Sequence, residues 1–305
     1  MHKRMAILGG LVVLMLAACQ RDLDVALPYE GDRLVIYGLL TADSVVSVRI
    51  DKTAPPTGPF LYADSVPDAT AALFENGVFV ENLQYAGREI YRSPSGFKPK
   101  AGGEYFLRVS APGLPDAETA PEVVPAAVQL EQYVLGDTIA NLFLGEARRL
   151  TFTFRDEETP GDFYYAGIEG KYLSNRLTFN TFVVGRPLEA SEDLCGFRAE
   201  NNQYVLQDVC FNGQSFSYEL GTEVTGFLQE YKGISERPRG QVKCDQLFLR
   251  FRKITKTYRD YLHVAGWEHE GFLSAFTLPV REYTNVKGGY GVWAAYSEHV
   301  VDVLQ

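Results

Sequence analysis

The chain has 305 residues, is 46% hydrophobic and 13% aromatic, and carries 28 glycines and 15 prolines. That composition belongs to a globular protein with room for two domains and excludes collagen, coiled coils and disulfide-dense miniproteins. Its 29 Lys and Arg stand against 39 Asp and Glu, for a net charge of -10, so a nucleic-acid groove, which depends on clustered cations, is not expected.

The first element is an address. His2-Lys3-Arg4 is a basic start, Met5 to Leu16 an apolar run, and Leu16-Ala17-Ala18-Cys19 a small-residue cleavage site ending in cysteine. Together they read as a bacterial secretory signal with a lipobox, residues 1–18, after which Cys19 carries acyl chains. The apolar run is well short of the roughly twenty residues that span a bilayer, so the chain is expected to be anchored rather than spanning. Residues 19–33, polar with Pro28 and Gly31, read as a tether.

From residue 34 the dominant pattern is period two. Val46, Val48 and Ile50 share one face, and Tyr105, Leu107 and Val109 alternate with Phe106, Arg108 and Ser110, as in half-buried strands. Asn76-Gly77, Gly102-Gly103 and Pro112-Gly113 are among the turns between them. Short strands at this spacing predict a β-sandwich over 34–125, with Pro115, Pro121 and Pro125 marking its exit.

The remainder, 126–305, reads as a second β-rich domain. Leu150, Phe152 and Phe154 share a face, strands are expected over 164–169, 204–209, 215–220, 247–252 and 291–303, and Gly288-Gly289-Tyr290-Gly291 reads as a bend before the last. Tyr258, Tyr261, Leu262 and Ala265 recur at helical spacing, which predicts one helix over about 255–270, capped by Thr255 or Thr257 and stopped by Gly271. The fold class is therefore mainly β, two β-rich domains with one helix.

After Cys19 three cysteines remain in an exported, oxidising setting. Cys195 and Cys210 bracket a polar stretch that reads as a hairpin turn, so their pairing is the first expectation; Cys210 with Cys244, or no bridge, are the alternatives. His263 and His269 lie about 240° apart on a helix and cannot chelate one metal from one face. Asp156, Glu157, Glu158 and Asp162 crowd one turn, which is expected to be solvated, with calcium as the lesser reading. No metal and no cofactor is expected. Neither a nucleophile elbow nor a phosphate-binding glycine loop occurs, and no enzyme is expected. Strand aromatics are expected to fill the core more often than to form a sugar-stacking platform.

Several segments, in order, resemble one family, the Bacteroidota outer-membrane lipoproteins grouped as domain of unknown function 4249. They are the lipobox Cys19, Leu34 to Leu40, Asp68 to Phe74, Gly103 to Val109, Tyr258 to Leu262, and Phe276 to Tyr296 with Asn285, Gly288-Gly289 and Gly291-Val292-Trp293. Val286-Lys287 departs from the pattern, where an uncharged or polar pair is expected. The resemblance implies an Ig- or transthyretin-like first sandwich, an outer-membrane location, and as partner a TonB-dependent receptor, a SusC-like barrel; it supplies no catalytic residues. Asp22 and Asp24 resemble the acidic export signals of such lipoproteins and favour the cell surface over the periplasmic face. Asp43-Ser44-Val45, Asp64-Ser65-Val66 and Asp137-Thr138-Ile139 resemble Bacteroidota O-glycosylation sites, which makes Ser44, Ser65 and Thr138 candidates.

The functional expectation is thus a non-catalytic accessory or ligand-capturing subunit of a TonB-dependent uptake system. A free-standing adhesin or envelope scaffold is the alternative, and a glycan-acting hydrolase a weaker one. The partner contact is expected where aromatics and arginines concentrate: Tyr258, Tyr261, Trp267, Phe272, Tyr283, Tyr290 and Trp293 beside Arg250, Arg252 and Arg281. These are the residue types that dominate interface hot spots; the competing reading is that most of the aromatics fill the core and the helix seat.

Overall fold

The computed structural model describes residues 29, 31–55, 65–141, 145–174, 177–182, 185–187, 196–198, 204–228, 241–265 and 283–305. The architecture is mainly β. The first sandwich begins with β1 (Leu34–Leu40), β2 (Ser47–Lys52), β3 (Thr70–Glu75), β4 (Val78–Tyr85), β5 (Ile90–Arg92), β6 (Glu104–Ser110), β7 (Ala117–Thr119) and β8 (Glu122–Val123). In sheet A, β1 pairs with β2 and β2 with β5, all antiparallel. In sheet B the order is β4, β3, β6, with β7 and β8 end to end along the far edge of β6. Asn76 and Gly77, both at positive φ (49° and 80°), make the two-residue turn between β3 and β4, the backbone that best matches strand twist.

The second unit contains β9 (Leu130–Asn141), β10 (Gly145–Arg155), β11 (Phe163–Ser174), β12 (Leu177–Phe182), β13 (Gly185–Pro187), β14 (Gly196–Arg198), β15 (Tyr204–Gln207), β16 (Ser215–Thr222), β17 (Thr225–Leu228), β18 (Gln241–Lys243) and β19 (Gln246–Ile254). Helix α1 (Lys256–Ala265), β20 (Val286–Lys287) and β21 (Tyr290–Asp302) follow. Sheet C runs β13, β16, β10, β9. Sheet D is built on β11, which pairs with β19, β15 and β12. Between C and D lies an aromatic core in which Tyr164 stacks on Phe251 with centroids 5.5 Å apart, and Phe154 packs against both. The inward sets predicted from period two, Leu150 with Phe152 and Phe154, and Leu247 with Leu249 and Phe251, are all buried here. Val46, Val48, Ile50, Tyr105, Leu107 and Val109 are buried in the first core.

One strand joins the units. The first half of β21 runs parallel to β1, from Val35 opposite Tyr290 to Leu40 opposite Ala295. Its second half runs antiparallel to β19, from Ile254 opposite Tyr296 to Phe248 opposite Asp302. Alternation then divides its side chains: Trp293 and Ala295 complete the first core, while Val292 and Ala294 face a third cluster with Ile254, Tyr258 and Leu262, where α1 is seated. β20 adds to the edge of β7. Val124 still packs in the first core and Val128 already in the second, and Val286, Trp293 and Ala295 return to the first. Gly291, at φ 113°, permits this return, because a Cβ there would lie 2.0 Å from the carbonyl oxygen of Ile36.

Helix α1 starts where predicted. Thr255 is the cap: its Oγ1 accepts the Tyr258 N–H at 3.4 Å and the Ala295 N–H at 3.3 Å, so the helix start is pinned to β21. Residues 266–270 of the expected helix lie outside the described residues.

Candidate functional site

Sheet B presents an unusual outer face. An antiparallel sheet with one side in water normally alternates apolar inward and polar outward. Here β4, β3 and β6 each turn a phenylalanine outward: Phe79 opposes Phe74 across a bulge, and Phe74 opposes Phe106. Phe74 and Phe106 stack with centroids 4.7 Å apart and planes 4° from parallel, and Phe79 meets Phe74 edge-on at 5.8 Å. Phe79 is 52% exposed. The Arg108 guanidinium lies 4.9 Å from the Phe74 ring centre and 5.4 Å from that of Phe106, the geometry of a cation over an aromatic face.

Beside this row runs a groove of about 450 Å³ whose floor includes Thr70, Ala72 and Ser110 and whose charged groups are Arg108, Asp116, Glu118 and Lys287. Register explains the order: Glu118 lies opposite both Arg108 and Lys287, between β6 and β20. Arg108 Nε is 2.5 Å from Glu118. Among the described residues, Lys287 and Asp116 have no side-chain partner. Alternation along β6 puts Phe106 and Arg108 on the outward face, but the row itself is not legible in sequence, since Phe74 and Phe79 join it only through the strand register.

The residues expected to meet a partner are placed differently. Trp293 is fully buried in the first core, its Nε1–H donating to the Tyr105 carbonyl at 2.9 Å. The Asn285 side chain holds its backbone on both sides, accepting from Trp293 N–H at 2.9 Å and donating to its carbonyl at 2.7 Å. Tyr258 is buried on the inner face of α1, Tyr261 and Tyr283 are half-buried against the same cluster, and Tyr290 is half-buried. Neither Trp293 nor Tyr258 can present its ring to a partner, because each fills a core at the joint. Arg250 lies 2.5 Å from Glu169 and 2.8 Å from Glu298, and Arg252 2.6 Å from Glu298. Arg252 also sits over the Tyr296 ring at 4.8 Å. Both guanidinium groups are thus neutralised on the outer face of sheet D. Trp267, Phe272 and Arg281 lie outside the described residues.

The acidic turn is solvated through its middle, where Glu157 and Glu158 are exposed, but not at its ends. Asp156 is buried, accepting from the Tyr164 hydroxyl at 2.5 Å and the Gly213 N–H at 2.9 Å. Burial, reinforced by the Asp156 carboxylate, drives the Tyr164 phenol far above its ordinary range. Buried Asp208 accepts from the N–H groups of Gly161 and Asp162 at 2.6 and 2.9 Å. The Lys253 ammonium stands between Asp162 at 2.7 Å and Glu157 at 3.0 Å, so the chain's own ammonium occupies the place a cation would take. Burial works against that charge, but the two carboxylates outweigh it and hold its pKa above the usual lysine value. Among the described residues no group of three or more acidic, His or Cys side chains is arranged to hold a metal.

At the joint, buried Glu122 accepts from the Thr257 hydroxyl at the start of α1, and burial pushes its carboxyl up even though hydrogen bonds from Thr257 and Thr255 pull it down. Cys210 is disulfide-bonded and Cys244 is a buried thiol, which excludes a bridge between these two. Cys195 lies outside the described residues, although β14, which follows it, pairs antiparallel with β15, which precedes Cys210. Ser44, Ser65 and Thr138 are exposed. Cys19 lies outside the described residues, and among those described no helix is long and apolar enough to cross a membrane.

A family model described as "Domain of unknown function (DUF4249)" matches residues 20–300. The chain belongs to that family. No curated protein and no solved structure matches the chain.

Proposed function

We propose that this chain is a non-catalytic binding protein, held at the outer membrane by lipidated Cys19 and serving as an accessory or ligand-capturing subunit of a TonB-dependent uptake system. The observation that carries the reading is the outward row Phe79, Phe74 and Phe106 beside a charged groove. Phe79, the exposed ring of the row, gains free energy when something covers it. The lipobox at Cys19 and membership of the family support the membrane half of the proposal. The chain's excess negative charge keeps the body of the protein away from anionic lipid, so that contact is through the acylated end.

The test has two arms. Cys19→Ala moves the protein from membrane to soluble fractions, and protease treatment of intact cells removes the wild-type protein if the sandwiches face outward. A Cys19→Ala protein that still pellets with membranes would refute the anchor. Carriage of sugars at Ser44, Ser65 and Thr138 is part of the same proposal, and an intact mass equal to polypeptide plus lipid would refute it.

A further inference from the structure

We infer that the C-terminal half of β21 accepts an added strand, an extended segment of the membrane receptor that carries a Lys or Arg. The inference names the contact used in the accessory role proposed above and rests on that role. β21 changes partners along its length, and its backbone groups show which edge is left over. Trp293 and Ala295 direct theirs to Asn285 and Thr255, on the side that β19 then occupies. β1 is therefore bonded through Val292 and Ala294, on the opposite edge, and its register stops at Leu40 opposite Ala295. Further on, the Val303 N–H donates to the Leu247 carbonyl at 2.8 Å, so the odd-numbered groups still point to β19. Strand groups alternate sides, so those of Glu298, Val300 and Asp302 point to the edge that β1 has left. Among the described residues no strand pairs with them.

Both edges of sheet C are blunted and this one is not. β9, at one edge, has two register shifts, and Arg148 donates to its Leu135 and Gly136 carbonyls. β13, at the other, is three residues long and holds Pro187. Bulges, shortness and proline are the usual protections against strand addition. The β19–β21 register runs unbroken from Ile254 opposite Tyr296 to Phe248 opposite Asp302, and 296–302 holds neither Lys nor Pro. Val300 is 41% exposed on the outer face. On the inner face Ser297 is buried and, among the described residues, its hydroxyl has no hydrogen-bond partner, so a polar group stays unsatisfied on the strand with the unfilled edge. Charge selects the occupant. Glu298 is neutralised by Arg250 and Arg252, whereas the Asp302 carboxylate accepts from the backbone N–H groups of Leu247 and Leu304 and from the Gln305 amide, with no cation among the described residues. A Lys or Arg opposite Asp302 makes a favourable cross-strand pair, while the main chain supplies the affinity of strand addition. A second copy would bring another net charge of -10 to the same edge, which disfavours self-pairing.

The test is recovery of the TonB-dependent receptor with variants of the full-length lipoprotein, captured from native-host outer membranes in mild detergent through a C-terminal tag on a long Gly/Ser linker. Val300→Pro removes an outward N–H and leaves the β19 ladder intact, as proline on an edge does. It should lower receptor recovery at least about tenfold with the melting temperature held, while Val300→Ala, which keeps the N–H, retains the receptor. Asp302→Asn keeps the acceptor for Leu247 but loses the charge, and should weaken recovery about threefold. Amide exchange on the wild type gives a second readout should Val300→Pro unfold: the Glu298, Val300 and Asp302 amides become protected in the complex. Recovery undiminished by Val300→Pro, or those amides exchanging equally fast with and without receptor, would overturn the inference. So would a lipoprotein dimer that forms without receptor and is dissociated by Val300→Pro, since it would give the edge to a second copy. Receptor retained by Val300→Pro defeats the edge alone, whereas no receptor recovered with the wild type defeats the receptor role and the edge with it.

Discussion

Gly38 lies directly beneath the indole of Trp293: a Cβ on Gly38 would stand 2.5 Å from both Cε3 and Cζ3 of that ring. The two residues oppose each other in the parallel pairing of β1 with β21, where the N-terminal strand meets the strand that closes the fold. The indole takes the volume the missing side chain leaves, and a packed core does not yield that space cheaply. Gly38→Ala is expected to destabilise by about 1–3 kcal/mol through overpacking, and Trp293→Leu by opening a cavity. Combined, they should cost at least about 0.5 kcal/mol less than their sum. A denaturant-melt double-mutant cycle checks this, and strict additivity would mean the two do not pack as described.

Because β21 is hydrogen-bonded to β1 along one half and to β19 along the other, neither sandwich can lose it without exposing core. Calorimetry of the wild-type protein should show one cooperative transition with calorimetric and van't Hoff enthalpies in agreement. Two separated transitions would mean that the joint does not couple the units.

Glu122 gives a pH signature. Its carboxyl is raised by burial in the folded state, so the native protein holds that proton more tightly than the unfolded chain does. The group therefore favours folding below its unfolded pKa, and this contribution is lost as pH rises through the folded pKa. Glu122→Gln keeps an acceptor for Thr257 and removes the buried charge. It should raise the melting temperature at pH 7.5 and lose that advantage at pH 4; an equal effect at both would refute the assignment.

Lys253 is the cation of the acidic turn. Lys253→Met leaves half-buried Asp162 and exposed Glu157 without their partner and is expected to cost about 1–3 kcal/mol, most of it at Asp162. Millimolar calcium should leave the wild-type melting temperature unchanged, since the ammonium already stands between the carboxylates. A calcium-dependent rise would show a metal site that competes with it.

Much of this fold was legible because half-buried strands alternate. Val46, Val48 and Ile50, or Leu150, Phe152 and Phe154, announce their inward face through local chemistry alone, and the Tyr258-Tyr261-Leu262 stripe announces a helix. What was not legible depended on pairing between distant segments. Gly291 reads as a bend, but its role is to let β21 approach the backbone of β1, 2.0 Å from where a Cβ would sit. Trp293, Tyr258 and the two arginines look like hot-spot residues in composition, yet ring burial and carboxylate partners consume them. The phenylalanine row was visible only in part: Phe106 beside Arg108 on a polar face was the clue, and Phe74 and Phe79 join it through register.

The most direct test of the proposed function is copurification. A C-terminally tagged protein, extracted with mild detergent from outer membranes of the native host, should bring down a TonB-dependent receptor identified by mass spectrometry. A stable contact of this kind buries more than about 1,000 Å² and survives the wash. Phe79→Ala should leave the complex intact if the phenylalanine row faces ligand rather than receptor. A receptor is expected in near-stoichiometric amount; tagged protein recovered alone, under conditions that keep other receptor complexes of the same membrane together, would refute the proposed role.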